Sequence, residues 1–405
     1  MSKINVLVLI TVMDRAGAET MMMNYLRNID RNKIHMDFLI NREQRADYED
    51  EIEKLGSKVY HMCALYPGKI RRYKKEFKSF LTRYPQYDII HSNLEERSYY
   101  ALKIAKSMGI SVRIAHAHSA PQGYNVKMIM RLYLRKKLQK YCTHKLACGE
   151  KAGKWLFGKS SCLISMEQYV KREKTEQFME NGNTCNTANT VVLMKNAIEV
   201  KRFLYSDSIR NNIRKKLKIK DSTLVIGHVG RFTGDKNQSF LVDVFKNVNN
   251  RHSDCMLLLV GGGKPREEIR YKGAIRSKVN QNSLKNKVRF LGVRDNISEI
   301  MQAMDIFVMP SKSEGFPVTL VEAQAAGLRC LVSDEICYDV NLTDEIQYKS
   351  LEDGEQEWAE KVLSMVSGSD RGLGTMNEQV AQKGYDISDN AGQLEKFYQM
   401  LYECR

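Results

Sequence analysis

Residues 306–326 read IFVMPSKSEGFPVTLVEAQAA, and this stretch predicts a strand, a loop and a helix in immediate succession. Ile306–Met309 is a continuous apolar run, typical of a strand that is buried on both faces of a parallel sheet. Pro317 suits a position at or just before the first turn of a helix, here predicted over 318–326. A strand that leads directly into a helix is the repeating unit of an α/β fold.

The same unit recurs on both sides of this stretch. In the second half, strands are predicted at 224–229, 256–260, 288–291, 306–309 and 329–333, and helices at 238–249, 266–281, 297–303, 318–326, 357–366, 376–382 and 393–402. In the first half, strands are predicted at 4–10, 36–40, 58–62, 87–91, 112–117 and 145–148, and helices at 18–28, 48–55, 70–84, 98–108 and 126–141. A polar stretch, 171–190, interrupts the rhythm. The sequence therefore predicts two doubly wound, Rossmann-like domains with parallel sheets.

The composition favours an anionic partner, because 64 basic residues outweigh 48 acidic ones and the net charge is +16. Much of the excess lies in two predicted helices, near residues 69–78 and 127–140, which carry apolar residues at helical spacing. Basic amphipathic helices lie on anionic lipid, which predicts peripheral membrane contact. The alternative is a solvated helix face.

No apolar run reaches the length of about 20 residues that spans a bilayer, so no transmembrane helix is predicted. The run 4–12 lacks a small-residue cleavage site and does not resemble a signal peptide. We therefore expect a cytoplasmic protein. The nine cysteines are scattered singly, and we expect reduced thiols.

Ligands of parallel sheets bind beyond the carboxyl ends of the strands, so the loops there hold the candidate site residues. The first such loop brings Gly17 and Ala18 to a helix start, where a ligand can approach backbone N–H groups. His116 and His118 share one face at the end of another strand and suit a sugar hydroxyl. A structural role or a pair of metal ligands is the alternative, although no carboxylate or cysteine is spaced to join them.

Three loops of the second half suit a diphosphate. Gly230, Arg231 and Lys236 follow a strand directly, and the two cations suit charge-assisted contacts to phosphate. Gly262 belongs to a glycine-rich turn that lacks the P-loop spacing. In the loop of residues 310–317, Glu314 precedes a helix start whose amides are free for an anion, and Glu322 lies one turn into that helix.

These motifs resemble a known family. The run PSKSEGFP with Glu314 and Glu322 resembles the E-x7-E motif of family 4 glycosyltransferases of the GT-B fold, found in bacterial capsule and exopolysaccharide synthesis. Gly230-Arg231 with Lys236 resembles that family's phosphate-binding segment, and residues 16–19 a weaker form of its GG(A/V)E loop. Residues 196–203 resemble its interdomain segment, with Ala197 in place of the usual glycine.

The resemblance implies an architecture and a reaction. It implies an acceptor-binding domain over 1–190, a nucleotide-sugar-binding domain over 191–385, a last helix at 386–405 that returns to the first domain, and an active site in the cleft between the domains. It implies a retaining transferase that uses a UDP-sugar as substrate, needs neither cofactor nor metal, and acts on a saccharide or a lipid-diphosphate-linked acceptor.

The resemblance also assigns the residues. Arg231 and Lys236 are expected to hold the diphosphate, Glu322 the ribose and Glu314 the donor sugar, which His118 or else His116 contacts. The remaining donor-binding positions are Gly17, Ala18, Gly230, Gly262, Gly315, Phe316, Val318 and Thr319. Two other classes stay open: a nucleotide-sugar epimerase on the same fold, and a basic nucleic-acid-binding protein, against which no recognised nucleic-acid motif appears.

Overall fold

The structure, a computed structural model, describes residues 3–119, 126–171, 178–180, 183–185, 189–262, 266–367 and 375–405. By its internal contacts the chain divides into two compact units. The first unit comprises Met1–Ala197 with Ile387–Arg405, and the second comprises Ile198–Asp386. The domain limits and roles expected from the sequence, with divisions at 190 and 385, stay predictions.

An all-parallel sheet of eight strands forms the centre of the first unit, in the order β3-β2-β1-β4-β5-β6-β10-β7. Its strands are β1 Ile4–Ile10, β2 Ile34–Ile40, β3 Val59–His61, β4 Ile89–Ser92, β5 Val112–Ala117, β6 His144–Ala147, β7 Cys162–Ser165 and β10 Thr190–Leu193, while β8 Phe178–Glu180 and β9 Asn183–Cys185 form a separate antiparallel pair. The helices of this unit are α1 Gly17–Asn28, α2 Glu49–Lys54, α3 Ile70–Arg83, α4 Ser98–Ser107, α5 Val126–Leu138, α6 Glu150–Phe157, α7 Met166–Lys171 and the last helix of the chain, α15 Ile387–Glu403.

The second unit holds a parallel sheet of six strands in the order β13-β12-β11-β14-β15-β16. Its strands are β11 Leu224–Val229, β12 Cys255–Val260, β13 Val288–Gly292, β14 Ile306–Met309, β15 Arg329–Ser333 and β16 Ile346–Lys349. Its helices are α8 Asp207–Lys216, α9 Gln238–Arg251, α10 Arg266–Gln281, α11 Ile297–Gln302, α12 Val318–Ala325, α13 Gly354–Val366 and α14 Thr375–Val380. Short 3₁₀ turns lie at Glu95–Arg97, Val200–Phe203 and Gly234–Lys236, among others.

Eight helices and strands escaped the sequence analysis: α6, β7, α7, β8, β9, β10, α8 and β16. The edge strand β16 shows why, because only its first residue is buried and it offers no continuous apolar run. β10 belongs to the first sheet although it follows the polar stretch 171–190, most of which lies outside the described residues. The expectation of reduced cysteines is wrong for Cys162, which is disulfide-bonded, since proximity in space and not spacing along the chain decides pairing. Among the helices that the structure describes, none is long and apolar enough to cross a membrane.

The last helix completes the first unit. Leu394, Phe397 and Tyr398 of α15 are fully buried in the core that also contains strand residues of the first sheet. α15 packs on α1 and α7, and Arg405 near its end forms an ion pair with Asp88. The aromatic side chains of α15 therefore fill a gap over the sheet that the first 197 residues leave open.

Two glycines meet at the carboxyl edge of the second sheet. The Gly230 amide donates to the Val260 carbonyl at 2.9 Å, so β11 and β12 continue their pairing into the loops that follow. Gly261 has a φ of +126°, and a Cβ there would lie 2.1 Å from the Gly230 carbonyl oxygen. Only glycine fits this backbone approach, which fixes where the loop after β11 begins.

We predict that Gly261→Ala lowers the free energy of unfolding by about 2 kcal/mol or more, because the new Cβ must displace backbone and φ is unfavourable. Urea denaturation of the variant measures this change. The matched control is Gly273→Ala within α10, where a Cβ has open space and which should keep or slightly raise stability. Equal stability of the two variants would contradict the proposed constraint.

Candidate active site

The carboxyl edge of the second sheet gathers three of the predicted loops. β11 pairs with β12 on one side and with β14 on the other, all in parallel. The strands end at Val229, Val260 and Met309, so the loops that follow start side by side. The Lys312 amide donates to the Asp235 carbonyl at 2.7 Å, which ties the loop after β14 to the loop after β11.

Lys236 and Glu314 form an ion pair in this place. The Lys236 Nζ lies 2.5 Å from Glu314 Oε1, and both side chains are mostly buried, with 21% and 12% exposure. The Lys236 side chain crosses Gly230, where a Cβ would lie 3.4 Å from its Cδ. The structure therefore brings Glu314 to Gly230 and Lys236, although Glu314 lies 78 positions after Lys236.

Arg231 takes a different direction. Its side chain is 55% exposed, and its guanidinium pairs at 3.3 Å with Glu268 of α10, a residue that the sequence analysis did not single out. Arg231 and Lys236 therefore extend from the same loop to different carboxylates, Arg231 to Glu268 and Lys236 to Glu314. An exposed guanidinium held by one weak ion pair can change partner at small cost, which suits a group that closes on an anionic ligand.

The amino terminus of α12 is open to a ligand. Pro317 caps the helix in an extended conformation, and within the described chain no hydrogen bond reaches the amides of Val318 or Thr319. Phe316 stacks on Tyr385 at 5.4 Å between ring centroids, and the Cys337 thiol donates to the Gly315 carbonyl at 3.3 Å. These contacts hold the loop while leaving the helix N–H groups free for an anion.

Glu322 lies one turn into α12 and carries a desolvated carboxyl. The residue is half-buried, and burial raises the pKa of its carboxyl to about 7, against a smaller opposing effect of the Arg202 charge. No side chain in the part of the chain that is described hydrogen-bonds this carboxyl. A carboxylate in this environment is stabilised by a ligand that donates hydrogen bonds, such as a hydroxyl pair.

Two polar residues beneath the loop after β11 were missed by the sequence analysis. His228 is buried, and its Nδ1–H donates to the Val308 carbonyl at 2.9 Å. Burial lowers the pKa of His228 to about 4, so the ring is neutral. Gln238 donates to the Arg231 carbonyl at 2.8 Å and lies 3.3 Å from His228 Nε2. The sequence signal that could have revealed these contacts is His228 itself, a histidine within an otherwise apolar strand.

In the first unit, Gly17 and Ala18 begin α1 directly after an extended Ala16. A Cβ on Gly17 would meet nothing within 4 Å, so the space beside this helix start is open. Two contacts of Arg15 hold the preceding loop in place. The Arg15 amide donates to Asp47, and the Arg15 guanidinium lies 5.1 Å from the Tyr48 ring centroid. Such an opening can admit an anionic or hydroxyl-rich ligand to the helix N–H groups.

His116 and His118 lie together with a third histidine that the sequence analysis missed. His116 and His118 have ring centroids 4.1 Å apart, and His116 Nδ1 lies 3.1 Å from His91 Nε2. His91 Nδ1 in turn lies 2.7 Å from the Tyr398 hydroxyl of α15. Burial lowers the pKa of His91 to about 3 and of His118 to about 4, and that of His116 well below its usual value, so all three are neutral.

The direction of this hydrogen-bond chain follows from its unpaired ends. We assign Tyr398 as donor to His91 and His91 as donor to His116, because this leaves one buried group without a partner and the reverse direction leaves two. The remaining group is His116 Nε2, which is buried and has no partner among the described side chains. With this tautomer it is a buried N–H donor for which the described structure gives no acceptor.

Residues of the loop after β4 hold His118 in place. Asn93 Oδ1 accepts from His118 Nε2 at 2.7 Å, and Glu95 Oε1 accepts from the His118 and Ser119 amides at 2.9 and 3.1 Å. Glu95 has a φ of 52°, and burial raises the pKa of its carboxyl to about 7. The polar run His91-Ser92-Asn93 at a strand end was the signal for this loop, because β4 lies beside β5 in the sheet.

A cavity of about 520 Å³ in the second unit does not belong to the carboxyl edge of the second sheet, where the candidate site residues lie. Its lining includes Leu224, Asp305 and Arg329, which stand at or next to the amino ends of β11, β14 and β15. Arg210 in its wall pairs with Asp305 at 2.5 Å, and Arg329 pairs with Glu345 at 3.1 Å. These polar groups satisfy one another, so the cavity adds nothing to the site.

The chain is similar to known proteins over its whole length. The model for "Glycosyl transferases group 1" matches residues 209–385. A relative from Bacillus subtilis (strain 168), "Putative glycosyltransferase EpsF", is 30% identical over 99% of this chain and 98% of its own. The UDP-Gal:alpha-D-GlcNAc-diphosphoundecaprenol alpha-1,3-galactosyltransferase of Escherichia coli is 26% identical over 64% of this chain and 62% of its own.

Among solved structures, that of Anabaena Alr3699/HepE in complex with UDP and glucose superposes with a TM-score of 0.75. It is 15% identical in sequence and covers 97% of this chain and 99% of its own, so the likeness concerns the fold. The fold is GT-B, as the resemblance implied. The chain belongs to the family of group 1 glycosyl transferases.

We predict that Glu322→Gln changes the pH dependence of stability. A carboxyl whose pKa rises on folding favours the folded state at acidic pH, and this contribution disappears as the pH rises through about 7. The melting temperature of Glu322→Gln should therefore match that of the wild type near the ordinary glutamate pKa and exceed it at mildly alkaline pH. A constant difference across this range would contradict the desolvated carboxylate.

We predict that Tyr398→Phe lowers the free energy of unfolding by about 1–3 kcal/mol, because it leaves a buried His91 nitrogen without its donor. The same variant should alter the ¹⁵N chemical shifts of the His116 ring, which report its tautomer. Tyr73→Phe is the matched control, since the buried Tyr73 hydroxyl has no partner in the described structure and its removal should cost nothing. Unchanged His116 shifts in Tyr398→Phe would contradict the assigned chain.

Proposed function

We propose that this protein is a retaining glycosyltransferase that moves a sugar from a UDP-sugar to a saccharide or lipid-diphosphate-linked saccharide in surface polysaccharide synthesis, without a metal. The observation that carries the proposal is the Lys236–Glu314 pair over Gly230, tied by a backbone hydrogen bond to the loop that precedes α12. A cation, a carboxylate and free helix amides thus occupy one edge of one sheet.

Each group suits a different part of the donor. Lys236, Arg231 and the amides of Val318 and Thr319 suit the diphosphate, because they combine positive charge with unpaired N–H groups. Glu322 suits the ribose, whose adjacent hydroxyls can donate to a desolvated carboxylate. Glu314 suits the hydroxyls of the transferred sugar. In the absence of donor, Glu314 neutralises Lys236 and keeps both side chains ordered.

The proposed reaction proceeds on one face of the sugar. The bond between the anomeric carbon and the diphosphate oxygen breaks, the acceptor oxygen forms the new bond on the same face, and the acceptor proton moves to the departing phosphate. Charge accumulates on the diphosphate in the transition state, where Lys236 and Arg231 stabilise it more than in the ground state. The contact of His118 or His116 with the donor sugar stays a prediction.

The names of the relatives support the substrate classes. The Escherichia coli relative is named for a UDP-galactose donor, a diphosphoundecaprenol-linked acceptor and an α-linkage. The Anabaena structure contains UDP and glucose. A UDP-sugar and a lipid-diphosphate-linked acceptor are therefore the first substrates to test, and a cytoplasmic location remains the prediction from sequence.

We predict that Lys236→Ala and Glu314→Gln separate binding from transfer. A thermal-shift screen of nucleotide sugars should first show a rise in melting temperature with UDP or a UDP-sugar, because the ligand binds the native state. Lys236→Ala should lose most of the UDP shift and about 10²–10³ in transfer rate. Glu314→Gln should keep the UDP shift, since it leaves the cation in place, and still lose transfer.

The controls address folding and the other enzyme class. Glu360→Gln removes the carboxylate from a surface ion pair with Arg251 and should leave both transfer and the UDP shift unchanged. Arg231→Ala should reduce transfer, and its melting temperature is measured alongside because the variant also removes the cation from the nearly buried Glu268 carboxylate. Full transfer in both Lys236→Ala and Glu314→Gln would overturn the site. Conversion of the donor in the absence of any acceptor would favour the epimerase instead.

A further inference from the structure

We propose that Glu95, in the loop after β4, binds a hydroxyl group of the saccharide acceptor. The inference rests on the proposed function, because it concerns the second substrate of the same transfer reaction. It goes further, since the groups assigned so far in the second unit all address the donor and none of them addresses the acceptor.

The carrying observation is that the two oxygens of the Glu95 carboxyl differ. Oε1 accepts three hydrogen bonds, from the His118 amide at 2.9 Å, the Ser119 amide at 3.1 Å and the Ser119 hydroxyl at 3.3 Å. Oε2 is screened from water, and among the described residues it has no hydrogen-bond partner. A buried acceptor without a donor is unfavourable, so a ligand that donates a hydrogen bond would stabilise this oxygen.

The backbone of Glu95 is held in a conformation that does not suit glutamate. Its φ is 52°, in the left-handed region that favours glycine and asparagine. Such conformations persist where the surrounding contacts hold them, and they concentrate at binding sites. The strained backbone and the three contacts of Oε1 together fix where the carboxyl lies before any ligand binds.

The location suits a substrate. β4 and β5 are neighbouring strands inside the first sheet, and the Glu95 carboxyl joins the loops that follow their carboxyl ends. Ligands of parallel sheets bind at such loops. His116, at the end of β5, has a second unpaired buried atom, the donor Nε2. Sugar hydroxyls both donate and accept hydrogen bonds, so they complement Glu95 Oε2 as acceptor and His116 Nε2 as donor.

The carboxyl lies close to the surface of the first unit. Glu95 and His118 are half-buried, and Ser119 is exposed. The Ser119 hydroxyl makes the longest of the three contacts to Oε1. A sugar hydroxyl can therefore reach the carboxyl by replacing this serine hydroxyl, and the strands of the sheet need not move.

A phosphate group suits this loop poorly. The next residue is Glu96, a second carboxylate, which pairs with Arg131 at 3.5 Å. Burial, and to a smaller extent the charge of Glu96, raise the pKa of the Glu95 carboxyl. An anion would add to this unfavourable charge, whereas a neutral hydroxyl forms a charge-assisted hydrogen bond with the ionised carboxylate. The hydroxyl-rich part of the acceptor is therefore the chemical class that fits.

Titration calorimetry with the full chain saturated with UDP tests the proposal without turnover. The probes are p-nitrophenyl hexosides and N-acetylhexosaminides, and a polyprenyl-diphosphate-linked N-acetylhexosamine. Glu95→Gln should bind the best of these saccharides about 10- to 100-fold more weakly than the wild type, because the amide NH₂ replaces Oε2 and meets the donating hydroxyl with another donor. In transfer assays the same variant should raise the acceptor KM and leave the donor KM constant.

Deoxy analogues identify the hydroxyl. Among monodeoxy forms of the best saccharide, one should bind the wild type about 10- to 100-fold more weakly than the parent sugar. That analogue should lose little further affinity in Glu95→Gln, since the variant has already removed the partner of the missing hydroxyl. If every analogue loses the same factor in the variant as in the wild type, Glu95 acts only on the structure of the loop and the proposal is overturned.

The matched control is Glu167→Gln, which makes the same substitution at an exposed carboxylate of the first unit that pairs with Lys171. It should bind both UDP and the saccharide like the wild type. Melting temperatures check that the variants fold. Should Glu95→Gln unfold, Glu95→Asn supplies the same comparison, because asparagine tolerates the left-handed backbone.

This inference and the proposed function fail separately. If Glu95→Gln keeps the UDP-induced rise in melting temperature and also the saccharide affinity of the wild type, only the role of Glu95 is overturned. Binding of UDP without binding of any probe saccharide to the wild type has the same meaning. Absence of both UDP binding and transfer in the wild type would overturn the proposed function and this inference with it.

A cationic ligand is the remaining alternative for an unpaired carboxyl. A 2-amino-2-deoxy glycoside carries an ammonium group where its parent sugar carries a hydroxyl. Tighter binding of this glycoside than of its parent, with the advantage lost in Glu95→Gln, would show recognition of a cation and overturn the hydroxyl assignment.

Discussion

The candidate donor site depends on a backbone contact at the carboxyl edge of the second sheet. Gly261 approaches the Gly230 carbonyl so closely that no side chain fits between them, and the loop after β11 must start at that point. Lys236 then lies over Gly230 and reaches Glu314, while Asp235 accepts from Lys312. Parallel pairing with β14 supplies the third element, because it sets the loop before α12 beside the first two. One close contact between main chains therefore positions charges that are distant in sequence.

Both units hold ionisable side chains in desolvated positions, at strand ends in the first unit and in the helix that follows β14 in the second. In the second unit burial raises the pKa of Glu322, and in the first it lowers the pKa of His91 and His118 and raises that of Glu95. Such groups cost stability unless they are hydrogen-bonded, and most are: Asn93, Glu95 and Tyr398 hold the histidine loop in place. The groups left over include His116 Nε2 and the Glu322 carboxyl, for which the described structure gives no hydrogen-bond partner.

The basic residues behind the net charge of +16 lie in two different environments. Near Gly230 the cations are few and paired with carboxylates, which suits a site that must release its product. On α3, α4 and α5 they are numerous, exposed and mostly unopposed. The first arrangement favours one diphosphate in one geometry, and the second favours an extended anionic surface without a defined geometry. The same excess charge is therefore paired with carboxylates at the strand ends of the second sheet and exposed on the outer helices of the first unit.

The sequence alone determined the class of fold and the chemistry of the site residues. Continuous apolar strands such as β11 and β14 encode burial on two faces, and the spacing of Glu314 and Glu322 around Pro317 encodes a loop that leads into a helix start. The family that these motifs resemble is confirmed. Local patterns carry this information because strand burial and helix capping are decided by neighbours in sequence.

Only the tertiary structure decided which of these residues meet. It paired Lys236 with Glu314 but Arg231 with Glu268, placed a conformational constraint at Gly261, and placed His91 and Tyr398 behind His116. It also added β16 and β10, short strands whose membership in a sheet depends on their partners. These outcomes follow from strand order and from contacts between residues tens to hundreds of positions apart, which no local pattern encodes.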